Sequence, residues 1–298
     1  MRKNRIRYSN EDRVFSIVTY TLATLALLIT LYPLVYCVSA SFSDPMQVVK
    51  GNVLLFPKDL TLIAYRAVAK NKSMFSGYAN TLFYTLLGTS LNLVMTIAAA
   101  YPLSKRDFRG RNAITFLFTL TMFFSGGMVP NFLLIRNLDM YNSIWALLLP
   151  GCVSAWNLVI MRTYFQSSIP EEICESAYMD GCSNINTLIR IVMPLSMPII
   201  AVMVIFYGVG HWNSYFNALL YLKDRDKYPL SLVLREILLQ GMGQEKTGAE
   251  VVDSVADLLL FETLKYAVII VSSVPMLILY PALQRYFVKG TMVGSLKG

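Results

Sequence analysis

Charged residues are absent from long runs of this chain and crowded into the gaps between them. The charge-free stretches are 14–43, 73–104, 112–135, 140–161, 191–222 and 266–284. A helix rises about 1.5 Å per residue, so crossing a hydrocarbon layer of roughly 30 Å takes about 20 apolar residues. Each stretch is long enough or nearly so. The pattern predicts an all-α, polytopic membrane protein with six transmembrane helices and no separate soluble domain.

Each run carries its own marks. Pro33 lies inside the first, and Asp44-Pro45 ends it. The second is rich in Thr, Ser, Gly and Ala, including Gly88-Thr89-Ser90 and Ala98-Ala99-Ala100. Small residues let helices approach closely in lipid, so this run is expected to pack against other helices. The third is interrupted by Ser125-Gly126-Gly127 and Pro130. That break fits a pathway lining or a bend near the outer surface equally well. Pro150-Gly151 falls within the fourth, and Pro194 and Pro198 lead into the fifth.

Composition agrees with the pattern. Hydrophobic residues make up 55% of the chain and the mean hydropathy is +0.52, outside the soluble globular class. The net charge of +8 follows membrane topology better than nucleic-acid binding. Arg2, Lys3, Arg5, Arg7 and Arg13 precede the first span; Lys105, Arg106, Arg109 and Arg111 fill the short second loop; Arg285, Lys289 and Lys297 follow the last span. An even number of spans and the positive-inside rule place both termini in the cytoplasm. The basic residues of the loop at 44–72 argue the other way, but that loop is longer and the N-terminal cluster carries more weight. The expected organisation is a cytoplasmic basic arm at 1–13, a transmembrane domain at 14–288 and a cytoplasmic tail at 289–298. The first apolar run is too long for a signal peptide and is expected to be retained. Cys37, Cys152, Cys174 and Cys182 have no metal-ligand spacing and read as free thiols.

One stretch is polar and acidic where the surroundings are apolar. In 168–198, Ser168 followed by Glu171 reads as a capping box with Pro170 in the first turn. Ile169, Ile173 and Ala177 fall on one stripe, and Glu171, Glu172 and Glu175 lie elsewhere. Asp180-Gly181 is a stop and a turn. Ser183 can cap a second short helix ending near Pro194. The prediction is a helix–turn–helix in the loop between the fourth and fifth spans.

Glu175-Ser176-Ala177, then Gly181, then Ile191-Val192-Met193-Pro194 closely resembles the EAA signature of permease subunits of bacterial ABC importers. That signature reads Glu-Ala-Ala, three residues, Gly, nine residues, Ile-x-Leu-Pro. The spacing is kept throughout, with Ser176 for Ala and Met193 for Leu. The six-span pattern, Trp212-Asn213 late in the fifth span and the tail from Arg285-Tyr286-Phe287 to Lys297-Gly298 look like the maltose type of sugar importer, in its shorter, G-type subunit. The resemblance implies a type I ABC importer permease fold and a path for a sugar, an oligosaccharide in the branch most similar. It implies a second, homologous permease subunit as heterodimer partner, two ATP-binding subunits, an extracellular solute-binding protein, and a bacterial inner membrane as the site. The coupling helices at 168–193 would dock on the ATPase through Glu171, Glu172, Glu175, Ala177, Asp180, Gly181, Ile191 and Pro194. The segment around Gly241, Met242, Gly243 and Gln244, which reads as a flexible tip, would reach into the binding protein's cleft.

The chemistry absent from the chain points the same way. There is no Gly-Lys-Ser/Thr phosphate loop, no metal constellation and only one histidine, His211. The chain is read as a transport subunit and not an enzyme, binding no cofactor itself. The resemblance puts ATP and Mg on the partner subunits. Charged groups at membrane depth, which proton- or sodium-driven carriers keep at a cost of about 2.5–3.5 kcal/mol each, are missing. Trp212, Asn213, Tyr215 and Phe216 are candidates for sugar contacts or for an aromatic belt. Two other readings remain open: an ABC permease for a non-sugar solute, and a self-sufficient secondary carrier.

Overall fold

The computed structural model describes residues 10–246 and 255–295, and within them every regular element is helical. The chain opens with α1 (Asn10–Ser41), followed by the short α2 (Pro45–Val49) and α3 (Ile63–Lys70). The second long helix is α4 (Lys72–Ser104). After a basic loop come α5 (Arg111–Phe123) and α6 (Met128–Asn137), then α7 (Trp145–Leu148) and α8 (Ala155–Ser168). The acidic interlude holds α9 (Glu171–Met179), α10 (Asn184–Thr187), a π turn at Leu188–Val192, and α11 (Met193–Leu195). The remainder is α12 (Met197–Trp212), α13 (Phe216–Tyr221), α14 (Leu230–Lys246) and α15 (Val255–Ser295).

Among the described residues, three helices are long and apolar enough to cross a membrane: α1, α4 and the Leu259–Ile278 part of α15. Two pairs qualify only together, because each is bent: α5 with α6 by 116°, and Asn184–Leu195 with α12 by 84°. By length and composition the described residues thus give three spans, or five with each pair taken as one; six were expected from hydropathy. The fourth charge-free run, 140–161, is divided. A turn after α7 carries Gly151 at φ 77°, a left-handed geometry that glycine adopts without strain, and α8 starts only at Ala155. The expected break at Ser125-Gly126-Gly127 is present, with Gly127 at φ 84°. By contrast, Pro33, Pro102, Pro275 and Pro281 all lie within continuing helices.

The chain forms two compact units, Met1–Asn71 with Ile237–Val271, and Lys72–Glu236 with Ser272–Gly298. In the first, serine hydroxyls hold the loop after α1 in place. Ser39 Oγ donates to Leu55 O at 2.6 Å, and Ser43 Oγ donates to Ser39 O and accepts from Lys58 N. Phe42 stacks on Tyr65, and Tyr36 meets Tyr266 edge-on.

In the second unit α4 is the axis. Gly77, Thr81, Thr85, Gly88, Asn92, Thr96 and Ala100 recur every three or four residues and are buried, whereas Leu82, Phe83, Leu86 and Val94 are exposed. A small, polar seam inward with apolar side chains outward suits a helix whose solvent is lipid. The seam meets α8 and α12 in a cluster that includes Ile97, Leu158, Met161, Ile199 and Met203. Asn92 is 3% exposed and fully used: Nδ2 donates to the carbonyls of Gly151 and Cys152, and Oδ1 faces His211 Nε2 at 2.8 Å. Because Oδ1 only accepts, Nε2 carries the proton. Nearby, the Tyr207 hydroxyl accepts from Ser154 N and pairs with Thr96 Oγ1 at 2.7 Å.

A β-carbon on Gly88 would stand 2.5 Å from His211 Nε2, whereas one on Gly210 would meet nothing within 4 Å. Gly88→Val should therefore cost about 1–3 kcal/mol by overpacking and lower the thermal midpoint of the detergent-purified protein by several degrees. Gly210→Ala should leave it within about a degree, since Gly→Ala is mildly favourable inside a helix. Thermal unfolding of the two variants side by side checks the seam.

Candidate functional site

The acidic interlude is built by local rules, though not all those its sequence suggested. Ser168 is the last residue of α8 rather than a cap. Ile169 is extended, and Pro170 precedes α9 with no side-chain cap bond. Pro170 takes φ −57° and ψ 135°, so α8 and α9 remain separate helices and Ser168 stays tied to the first. Glu171, freed from a capping box, stands 3.4 Å from Arg106 Nε. Both side chains are largely in solvent, so this pair is worth at most about 1 kcal/mol.

The far end of α9 closes as expected. Cys182 N donates to Ala177 O at 2.9 Å and Gly181 N to Tyr178 O at 3.0 Å, the paired bonds of a Schellman motif. Gly181 holds φ 78°, and a β-carbon there would meet nothing within 4 Å, so it is the backbone angle that calls for glycine. Ser183 caps α10 by accepting from Asn186 N. The second helix runs through the π turn to Leu195, one residue past Pro194, where its end was expected. The wider turn falls where the proline ring would otherwise meet the carbonyl of Arg190, four residues back. The axis then breaks at Ser196.

This element is fastened to the α4–α8–α12 cluster by Ile169, Cys174, Leu188, Val192 and Met193. Ala177 is also buried, but Ile173 is 38% exposed, so the expected Ile169–Ile173–Ala177 stripe is incomplete. Cys174, three residues before Ala177, takes the inward place. Glu172, Glu175, Asp180 and Pro194 are exposed, and Ile191 is half-buried. Tyr178, Met179, Ile185 and Ile189 add an exposed apolar surface among the carboxylates. The arrangement is a rigid, outward-facing knob of mixed acidic and apolar character.

The other candidates fall apart from one another. Trp212 is buried, not in an outer belt; its indole N–H donates to Ser272 O at 3.1 Å and its ring meets Tyr78 edge-on. Trp212 and Asn213 border a cavity of about 370 Å³ with Ser231 and Leu234. Tyr215 and Phe216 are half-exposed and do not join it. The residues Gly241, Met242, Gly243 and Gln244 lie on helical backbone within α14, not in a loose tip. Residues 247–254 lie outside the described residues, as do residues 1–9 of the basic arm and 296–298 of the tail, whose backbone up to Ser295 continues α15.

A second constellation was missed. Asn142, at φ 60°, accepts from Lys223 N and Asp224 N through Oδ1 and donates Nδ2 to Asp224 Oδ2 at 2.8 Å. Asn80 donates to the carbonyls of Asp226 and Tyr228. The segment after α13 is thus clamped to α4 and the loop before α7. Hydrogen bonds from Asn142 and Lys227 hold the Asp224 carboxyl below its ordinary range. A depressed carboxyl stabilises the clamp above that range and stops doing so as pH falls through the lowered value. An isolated Asn after Tyr141 gives no periodic signal by which sequence could reveal it.

Residues 92–293 match the family model described as binding-protein-dependent transport system inner membrane component. The chain belongs to this family. The permease is 37% identical over 288 residues to the polygalacturonan/rhamnogalacturonan transport system permease protein YtcP of Bacillus subtilis (strain 168), covering 97% of this chain and all of the relative. It is 27% identical over 275 residues to the arabinooligosaccharides transport system permease protein AraQ of Halalkalibacterium halodurans, covering 91% and 92% of the two. It also matches a chain of a solved bacterial ABC transporter involved in the import of the acidic polysaccharide alginate, with a TM-score of 0.85, 34% identity, and coverage of 95% of this chain and 100% of that one. The permease is therefore a multi-pass membrane protein and a transport subunit rather than an enzyme, working with other components of an ABC importer.

Left-handed backbone costs a non-glycine residue roughly 1–2 kcal/mol, less for asparagine. Gly181→Asn should leave the Schellman turn intact, and Gly181→Val should open it. Protection of the Cys182 amide in hydrogen exchange, which depends on its bond to Ala177 O, should survive the first substitution and fall in the second.

Proposed function

We propose that this permease, paired with a second homologous permease, forms the translocation path of an ATP-driven importer for an oligosaccharide. The support for the cargo is the full-length similarity to permeases whose names specify carbohydrate. Both termini are cytoplasmic, a reading supported by the basic clusters in the sequence through the positive-inside rule. The chain crosses the membrane six times, with α7 and α8 together supplying the crossing that neither makes alone. ATP and Mg reside on two ATP-binding subunits, and an extracellular solute-binding protein delivers the sugar. The helical turns at Gly241–Gln244 are the candidate contact with that protein, and Trp212 and Asn213, beside their cavity, are the candidates for contact with the sugar.

The observation that carries the mechanism is the knob formed by α9 and the helices after it. A partner that moves the spans must push on something rigid and membrane-linked. The Schellman turn fixes α9 against α10, and the helix from α10 runs to the bend at Ser196, where α12 begins. Ile169, Cys174 and Val192 tie the knob to α4 and α8. Motion imposed on α9 therefore reaches three spans without an intervening flexible loop. Glu172, Glu175 and Asp180 can meet basic groups on the ATPase, while Tyr178 and Met179 fill an apolar groove. No titratable side chain is needed at membrane depth, because the energy enters through this surface.

Affinity capture of the permease from its own membrane should bring down a second permease and an active ATPase. Reversing two charges, Glu172→Lys with Glu175→Lys, should keep the partner permease but weaken ATPase retention about tenfold or more, the scale expected for losing paired interface charges. Uptake of labelled oligosaccharide should fall in parallel. A chain that is captured alone and stable, or uptake that persists without ATP, would overturn the proposal.

A further inference from the structure

A polar cavity of about 650 Å³ lies beneath α9, at the junction of α4, the 105–110 loop and α8. Its lining includes Tyr101, Ser104, Lys105, Arg106, Arg111 and Gln166. Two carboxylates, Glu171 and Glu172, line the same space, and Glu171 already stands beside Arg106. Three cations against two carboxylates leave an excess of positive charge. The positive-inside rule explains why basic residues gather in this loop, but not why they converge on a cavity. Arg111 Nη1 donates to Lys105 O at 3.2 Å, folding the start of α5 back over the loop. The Lys105 ammonium sits over the face of the Tyr101 ring, 5.0 Å from its centre. Tyr101 itself is 8% exposed, and beyond the neighbouring Lys105 ammonium, which can only donate, its hydroxyl has no hydrogen-bond partner among the described residues. A buried, unmet hydroxyl is costly, and together with converging cations it marks a place made for an acceptor-rich anion.

We propose that this cavity binds the phosphate-bearing headgroup of an anionic phospholipid. Its position selects lipid over a soluble anion. The cavity opens where α4 ends and α5 begins, at the boundary of two spans. Along α5 the side chains of Ile114 and Leu117, one and two turns beyond Arg111, are exposed and apolar. Acyl chains can lie along that face while the phosphate takes Lys105, Arg111 and the Tyr101 hydroxyl. Basic pockets between spans on the cytoplasmic side are a recognised mode of headgroup capture. This reading rests on the proposed cytoplasmic placement of the 105–110 loop and is independent of the cargo and of ATPase docking.

The test uses the full chain, purified in detergent and stripped of lipid. Its thermal midpoint is followed against dioctanoyl phosphatidylglycerol, dioctanoyl phosphatidylcholine and inorganic phosphate. Phosphatidylglycerol should raise the midpoint saturably by several degrees, and the other two should not. Lys105→Gln with Arg111→Gln should weaken that response about tenfold or more, the effect of losing charge-assisted hydrogen bonds. Arg225→Gln, far from the cavity in sequence and not among its lining residues, should not weaken it. Tyr101→Phe supplies a second check, because its O–H meets no acceptor among the described residues. That variant should be as stable as the parent without lipid and respond more weakly with it. Equal stabilisation by phosphatidylcholine, an equal effect of free phosphate, or an unchanged response in Tyr101→Phe and the double variant would each overturn the proposal.

Discussion

A helix that breaks inside a membrane exposes peptide groups that lipid cannot hydrogen-bond, and each one left unmet costs several kcal/mol. This constraint organises the 72–236 unit. The turn between α7 and α8 leaves the Gly151 and Cys152 carbonyls and the Ser154 N–H without helical partners. Asn92 takes both carbonyls, and Tyr207 takes the amide. With its remaining acceptor Asn92 also engages His211, so one side chain joins α4, the α7–α8 turn and α12. Gly88 makes room for the imidazole, and Thr96 completes the group through Tyr207. The polar stripe that makes α4 look less like a membrane span is what allows its neighbours to be irregular.

That seam gives the acidic interlude its mechanical meaning. The α9 knob would be an ordinary surface loop if it stood on a flexible stem. It stands on Val192 and Ile169, which belong to the same packed cluster as the lower part of the α4 seam. The π turn lets the chain pass Pro194 without losing its helical path, and the bend at Ser196 delivers it to α12. Rigidity at Gly181 and irregularity at Ser196 are complementary: one fixes the handle, the other redirects its motion. A headgroup beneath α9 would brace the same handle from the membrane side.

Features written as a period or a fixed spacing were legible in the sequence. The charge-free runs show where apolar helices lie, and the Glu175–Gly181–Pro194 spacing marks the interlude and the family. Special residues were legible where one angle demands them, as at Gly127 and Gly181, or where a hydroxyl caps a helix, as at Ser183. Competing local rules were harder to read. Ser168 and Glu171 satisfy the capping pattern, but Pro170 separates them and Arg106, distant in sequence, takes the carboxylate. Hydropathy counted six runs without registering that Pro150-Gly151 divides one of them. Contacts between distant residues left no trace: Asn92 with the α7–α8 turn, Asn142 with Asp224, and Trp212 with Ser272 each pair residues more than fifty positions apart. Trp212 in particular reads as an interfacial aromatic until its N–H is seen to be tied to a backbone carbonyl.

The account turns on the α9 knob being the surface through which an ATPase acts. The most direct measurement is site-specific cross-linking in the native membrane. With the four native cysteines replaced, Met179→Cys would carry a short thiol-reactive photoprobe, and the captured protein would be identified by mass spectrometry. The account requires an ATP-binding subunit as the major adduct, with its yield changing between nucleotide-bound and nucleotide-free conditions. Labelling by solvent alone, with no ATPase adduct in either condition, would contradict it.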